Sequence, residues 1–191
     1  MFKEEIRILG FDDGPFDKDS RSVPVVGVIF RGGKFMDGML KTEVEVDGLD
    51  STEKLIKLIN SSRHKEQLKV IMLDGITFGG FNLVDIKELN EKTGLPVIVI
   101  NRKHPNLDEV KNALKNFKDF EKRWKIVKNA GKIKSLKIRE KEIFYQCKGL
   151  EDEEACEIIS LSSTHSFIPE PLRIAHLIAR AIVRGESFGR A

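Results

Sequence analysis

Apolar positions along this chain fall into short blocks whose spacing switches between the strand period of two and the helical period of 3.6. Ile6 to Phe11 is an apolar block that runs straight into Asp12-Asp13-Gly14-Pro15, which predicts a strand ending on acids and a turn. Val23 to Phe30 predicts a strongly apolar second strand, Arg31-Gly32-Gly33-Lys34 a hairpin turn, and Phe35 to Val46 the returning strand. A helix then opens at Asp50-Ser51-Thr52-Glu53, where Asp50 or Ser51 can cap the free amides and Leu55, Ile56, Leu58 and Ile59 form the buried face. Val70-Ile71-Met72-Leu73 is too short for a helix and rich in branched residues, so it predicts a strand buried on both faces. It ends on Asp74-Gly75. After the Gly79-Gly80 pair, the spacing of Leu83, Ile86 and Leu89 predicts a helix to about Gly94, with Asp85 at its start. Leu95 to Ile100 is a fifth strand, closed by Asn101-Arg102-Lys103-His104-Pro105. Asp108 to Phe120 is an amphipathic helix that continues or breaks before Trp124 to Asn129. Lys132 to Ile138 and Glu142 to Cys147 predict a basic hairpin, Asp152 to Ser162 a helix, and Pro169 to Arg184 a last helix stopped near Gly185.

The order β-β-β-α-β-α-β-α predicts an α/β fold: an antiparallel hairpin leading into parallel crossovers gives a mixed five-stranded sheet with helices on both faces. That is the order of the ribonuclease H-like fold, here with a C-terminal hairpin plus helices added. A chain of 191 residues fits a single domain over 1–191. Charged residues at 33% and aromatics at 7% suit a globular protein with a heavily ionised surface, and the net charge of +3 assigns no polyanion partner by itself. Cys147 and Cys156 share no ligand spacing with the four histidines, which argues against a zinc site or disulfide framework. The acidic start MFKEEIRIL lacks the character of a signal peptide, and no apolar run approaches membrane-spanning length. A cytoplasmic protein with no membrane partner is expected; oligomeric state is not legible.

Chemistry enters when the acids are laid on this frame. In a sheet of that order the first and fourth strands are parallel neighbours, so Asp12 and Asp74 emerge at one edge, beside glycines that let a ligand approach. Two carboxylates in one small space either raise a pKa or recruit a cation, and oxygen-only donors suit Mg²⁺ or Mn²⁺. Glu53, Asp50 and Asp13 are expected at the same edge. Three such acids fit metal-assisted phosphodiester hydrolysis. The plain alternative for Asp74 is a cap on the following turn. On the last helix Arg173, His176, Arg180 and Arg184 form a basic stripe that meets phosphates or is simply solvated, and His176, three residues after Arg173, either orients a group at the site or is a surface histidine. Lys132, Lys134, Lys137, Arg139 and Lys141 allow the same two readings. Phe78 and Phe81 either stack on an extruded base or belong to the core.

GFDDGPF at Gly10 to Phe16, DGLDSTE at Asp47 to Glu53, MLDGITFGGFN at Met72 to Asn82 and FIPEPLRIAHLIA at Phe167 to Ala179 together resemble an archaeal family distantly related to endonuclease V, some of whose members are described as deoxyuridine-specific endonucleases. Gly10-Phe11-Asp12 is similar to endonuclease V's G-V-D, Leu73-Asp74-Gly75 to its V-D-G, Pro96 to Lys103 to its P-T-I-G-V-A-K-K, and Pro169-Glu170-Pro171 with Arg173 to its late L-P-E-P-T-R. Glu53 precedes Asp74 by 21 residues, as that family's glutamate precedes its aspartate. The resemblance implies that Asp12, Glu53 and Asp74 are the catalytic metal ligands for Mg²⁺ or Mn²⁺, with Asp13 and Asp50 behind them. It also implies that Arg102 or Lys103 stands near the scissile phosphate, while the basic stripe of the last helix puts Arg173, His176 and Arg180 among the expected nucleic-acid contacts. Glu45 to Asp50 replaces the P-Y-I-P strand-opening wedge of endonuclease V, and the loop from Ile76 to Asn82 carries no histidine or basic residue. The expectation is a metal-dependent endonuclease cutting DNA at a deaminated base, deoxyuridine first, in DNA repair. The alternatives are an RNA- or inosine-directed nuclease and a non-catalytic nucleic-acid-binding module on the same fold.

Overall fold

The computed structural model describes residues 3–188. Nine strands and six α-helices run in the order β1 (Arg7–Asp13), β2 (Ser22–Arg31), β3 (Phe35–Glu45), α1 (Ser51–Asn60), β4 (Val70–Asp74), the two-residue strands β5 (Thr77–Phe78) and β6 (Asn82–Leu83), α2 (Ile86–Thr93), β7 (Val97–Asn101), α3 (Leu107–Leu114), α4 (Phe120–Asn129), β8 (Lys134–Ile138), β9 (Lys141–Lys148), α5 (Asp152–Ser162) and α6 (Glu170–Arg184). Seven strands form one sheet in the order β3-β2-β1-β4-β7-β9-β8, while β5 and β6 pair only with each other. The five expected strands are therefore neighbours as expected. The C-terminal hairpin extends the same sheet: β9 lies antiparallel to β7, using backbone groups that a terminal β7 would leave open.

β1 and β4 are parallel, pairing Gly10 with Met72 and Phe11 with Leu73, and β4 is parallel to β7, pairing Asp74 with Ile100. Alternation along these central strands then divides the core. Leu9, Phe11, Ile71, Leu73, Val97 and Val99 face one side, where Leu55 and Ile59 of α1 and Ile86 and Leu89 of α2 cover them. Ile8, Val70, Met72, Ile98 and Ile100 face the other, under Ile158 and Ile159 of α5 and Leu172 of α6. A one-residue step along β1 or β4 thus changes which helical layer a side chain meets.

The segment from Asp108 to Phe120 breaks: α3 ends at Leu114 and α4 starts at Phe120. Asp85 caps α2, its carboxylate accepting from the Lys87 and Glu88 amides. Gly94, at φ +68°, closes that helix in the left-handed conformation a glycine adopts without steric cost.

Candidate active site

Asp12 follows Gly10 on the face of β1 that meets α6, and Asp74 stands beside it at the end of β4, next in the parallel register after the Phe11–Leu73 pair. α6 comes very close here: a Cβ on Gly10 would stand 2.6 Å from Pro171 Cβ, and one on Gly14 2.8 Å from Val183 Cγ2. That contact brings His176, nearly two turns into the helix, onto Asp12, with Nδ1 and Oδ2 2.8 Å apart. The Asp12 Oδ1 atom accepts from the Asp13 amide at 2.9 Å. Asp74 accepts from Arg102 Nη2 at 2.9 Å; Arg102 lies two residues past Ile100 and so falls on the same face. Each acid has one basic partner. Arg102 Nε is buried and has no hydrogen-bond partner among the described residues.

These groups line an open cavity of about 520 Å³ with Asp13, Gly14, Pro15, Phe16, Thr77 and Arg180. Asp13 points to the opposite side of β1, where its Oδ2 accepts from the Gly79 amide at 2.7 Å and so fixes the loop after β4. Burial raises the Asp12 carboxyl to about 7; the bond to His176 opposes this, while the Asp74 and Asp13 charges reinforce it. Burial likewise raises Asp74 against the pull of Arg102, and Asp13 against the Gly79 amide. The hydrogen bond to Asp12 raises His176. Three acids with upward shifts around one cavity make a place where added positive charge is favourable.

A second, more apolar cavity of about 180 Å³ adjoins the first and shares Thr77 with it. Its walls include Ile76, Phe81, Pro105, Leu107 and Val110, with the amide side chains of Asn101 and Gln146 among them. Phe81 is half-buried: it walls this cavity and also packs edge-on to Phe117, ring centroids 5.6 Å apart, in the cluster around Leu83 and Leu114, while Phe78 is fully buried and is a core residue.

Several expectations are corrected by this geometry. Glu53 does not join Asp12 and Asp74: it is exposed and lines a separate cavity of about 600 Å³ with Asp85, Glu88 and Lys125. The reason is the sheet's two faces. α1 packs on the Leu9–Phe11 side, whereas Asp12 and Asp74 project to the other. Ser51, Leu55 and Ile59 form the buried side of α1, and Glu53 is roughly 200° around the helix from Ser51. Asp50 is also absent from the acidic cavity. It accepts from the Glu45 amide and Asn82 Nδ2 and pairs with Lys54 at 2.7 Å, so it holds the turn before α1. Arg173 is bound in two-pronged fashion by buried Glu170 and does not line the cavity. Lys103 is exposed and likewise outside it, and His176 partners an acid instead of standing free for phosphate. Arg180 does line the cavity, with Phe188 5.1 Å from its guanidinium carbon. Thr77 belongs to the site without having been singled out; its place in the Asp74 loop was the available signal.

Among the described residues no three or more His, Cys, Asp or Glu side chains are grouped to hold a metal ion by themselves. Asp12 and Asp74 still offer hard oxygen donors side by side, and Mg²⁺ is commonly held by one or two carboxylates with substrate phosphates and waters supplying the rest. The donor set fits such an ion.

A family model described as endonuclease dU matches residues 4–183. The UPF0215 protein of Methanothermobacter thermautotrophicus is 53% identical over 193 residues, covering 100% of this chain and 94% of that protein. A crystal structure of a protein of unknown function from Archaeoglobus fulgidus superposes with a TM-score of 0.86 at 43% identity, covering 94% of this chain and 99% of that one. Ciona intestinalis endonuclease V, solved with inosine-containing DNA, gives a TM-score of 0.63 at 16% identity over 94% of this chain and 87% of that one, which shows the shared ribonuclease H-like fold. By a match that spans nearly its whole length, the chain belongs to the endonuclease dU family.

Proposed function

We propose that this protein is a divalent-metal-dependent endonuclease that cuts DNA at a deaminated base, with deoxyuridine as first substrate and DNA repair as its role. The observation that carries the reading is the pair Asp12 and Asp74: a buried acid and a largely buried one on adjacent parallel strands, lining an open cavity edged by Arg102 and Arg180. Membership in a family described as an endonuclease supports the reaction class.

Asp12 and Asp74 would hold a Mg²⁺ or Mn²⁺ ion, which when bound activates water and neutralises charge on the phosphate. The chain's own residues do the remaining work. Arg102, with its unpartnered Nε, and Arg180 bind and orient the phosphodiester. His176 shares a proton with Asp12 through Nδ1, keeping that acid oriented and able to ionise. Asp13 holds the Gly79 loop, which leaves the acid positions fixed relative to the cavity mouth. The adjoining apolar cavity supports a flipped planar base as the recognised element, with Asn101 and Gln146 available to its polar edge.

The test is incubation with end-labelled oligonucleotides carrying one uracil, one hypoxanthine, one ribonucleotide or no lesion, in Mg²⁺ or EDTA. Mg²⁺-dependent cleavage at uracil that falls at least about 100-fold in Asp74→Ala supports the proposal. Cleavage confined to inosine or RNA replaces the substrate, and tight binding with no cleavage in Mg²⁺ or Mn²⁺ replaces the enzyme with a binding module.

A further inference from the structure

We propose that the outer face of the α3–α4 hairpin seats the single nucleic-acid strand leading away from the acidic cavity, with lysines against its phosphates and Trp124 against an unpaired base. The identity of the polymer rests on the nuclease reading above; the surface itself rests on separate observations.

The first is charge. Lys111, Lys115, Lys118 and Lys128 are exposed, and none is within ion-pair distance of a carboxylate among the described residues. Over α3, α4 and their connection, residues 107–129, seven Lys and Arg stand against four acids: Asp108 and Glu109 sit in the first turn of α3, where Glu109 accepts from Asn106, Asp119 is taken up by Arg123, and Glu121 remains. Lys122 and Lys125 belong instead to the cavity holding Glu53, Asp85, Glu88 and Glu91, where acids offset them.

The second is an aromatic among the lysines. Trp124, the chain's single tryptophan, is half-buried: it packs on the Leu114, Phe117 and Phe120 cluster, and Lys111 Nζ lies 5.3 Å from its ring centroid. Lys128 follows one turn later on the same side of α4. Basic groups around a partly exposed ring are what a single strand needs, because phosphates take the charge and every base has a face to stack.

The third is position. α3 begins five residues after Arg102, and Leu107, Val110 and Val127 of the hairpin wall the apolar cavity that shares Thr77 with the acidic one. Buried Arg123 donates to the carbonyls of Asp47, Gly48 and Phe81, fastening α4 to the loop whose Gly79 amide binds Asp13. A strand gripped by this hairpin is therefore held in a fixed relation to the acids.

The experiment measures binding of a lesion-free single-stranded 20-mer in EDTA, by anisotropy of a labelled strand and by Trp124 emission. Wild type is expected to bind with quenching. Lys111→Glu/Lys115→Glu/Lys128→Glu is expected to bind at least about tenfold more weakly at ~0.1 M salt, with the slope of log K against log salt reduced by roughly 2. The Lys→Gln set should show a smaller loss in the same direction, and circular dichroism melts check that both fold. Unchanged affinity and slope in both triple variants, unquenched emission on binding, or no binding by wild type overturns the proposal. The two readings fail separately: cleavage with unaltered binding in the triple variants removes this surface and leaves the nuclease, whereas lysine-dependent binding with no cleavage in Mg²⁺ removes the nuclease and leaves the surface.

Discussion

Asp12 and Asp13 are adjacent in sequence and face different sides of β1, and that single alternation gives them different work. Asp12 is 5% exposed, meets His176 and sits beside Asp74; Asp13 binds a backbone amide of the next loop. Asp12→Asn keeps the shape and removes the charge, so it is expected to abolish Mn²⁺ binding measured by calorimetry and to lower cleavage at least about 100-fold. Because a proton on a carboxyl at about 7 competes with the ion, Mn²⁺ affinity in the wild type should rise as pH climbs from 6 to 8, and a pH-independent isotherm would contradict a site at Asp12. Glu53 gives the opposite expectation. Its side chain lies on the layer across the sheet, so Glu53→Gln should change the cleavage rate by less than about twofold. A loss comparable to that of Asp74→Ala would mean that α1 moves in the working complex.

At the scale of elements, the site is built by how closely α6 crosses β1. Gly10 permits this, since a Cβ there would meet Pro171 Cβ at 2.6 Å and Leu172 N at 2.9 Å, backbone and ring atoms that cannot rotate away. Gly10→Ala should therefore lift the helix start, cost about 1–3 kcal/mol in urea unfolding, and reduce cleavage by loosening His176 from Asp12. The α4 helix is tied down differently. Arg123 is 4% exposed and donates to three main-chain carbonyls as well as Asp119. Arg123→Ala strands those acceptors, and a destabilisation of about 3 kcal/mol is expected from chemical denaturation. Its guanidinium also lies 4.2 Å from the Phe117 ring centroid, joining the α3–α4 connection to the same anchor.

For the whole molecule, the buried acids tie stability to pH. An Asp12 carboxyl at about 7 in the folded state, against 3.8 as its ordinary value, holds its proton more tightly when folded, so stability falls as pH rises between those values. The His176 shift acts in the same direction: the stabilisation is present below 6.5 and is lost as pH passes its raised folded value. Carboxylates held low by cations, such as Asp37 by Arg31 and Asp119 by Arg123, contribute the reverse trend, but that gain is complete once pH exceeds their unfolded values near 4. The metal-free protein is thus expected to be on the order of 3 kcal/mol less stable at pH 8 than at pH 5, measured by urea unfolding, with Mn²⁺ restoring the difference. Asp12→Asn should flatten the curve; an equally steep slope in that variant would assign the pH dependence to other groups. Among the described residues no helix is long and apolar enough to cross a membrane.

Local pattern was enough for the order of the five central strands and their helices, the pairing of β1 with β4, and therefore the meeting of Asp12 and Asp74, because strand period, turn residues and crossover handedness act over short spans of chain; the two-residue β5 and β6, where Leu83 lies, were not legible in it. The start of α2 at Asp85 and the end of α6 at Gly185 were legible for the same reason. Three features waited for the tertiary structure. The C-terminal hairpin joins the main sheet because β7 would otherwise end it with open backbone groups, a condition no local window contains. Glu53 matched a spacing in sequence, yet a helix packed on the opposite face carries it away from the acids. Arg102 read along the chain as a phosphate contact, and His176 as either a group-orienting or a surface histidine; which acids they meet was decided only when folding brought residues 12, 74, 102 and 176 into one largely desolvated space, where an acid left unpaired would be costly.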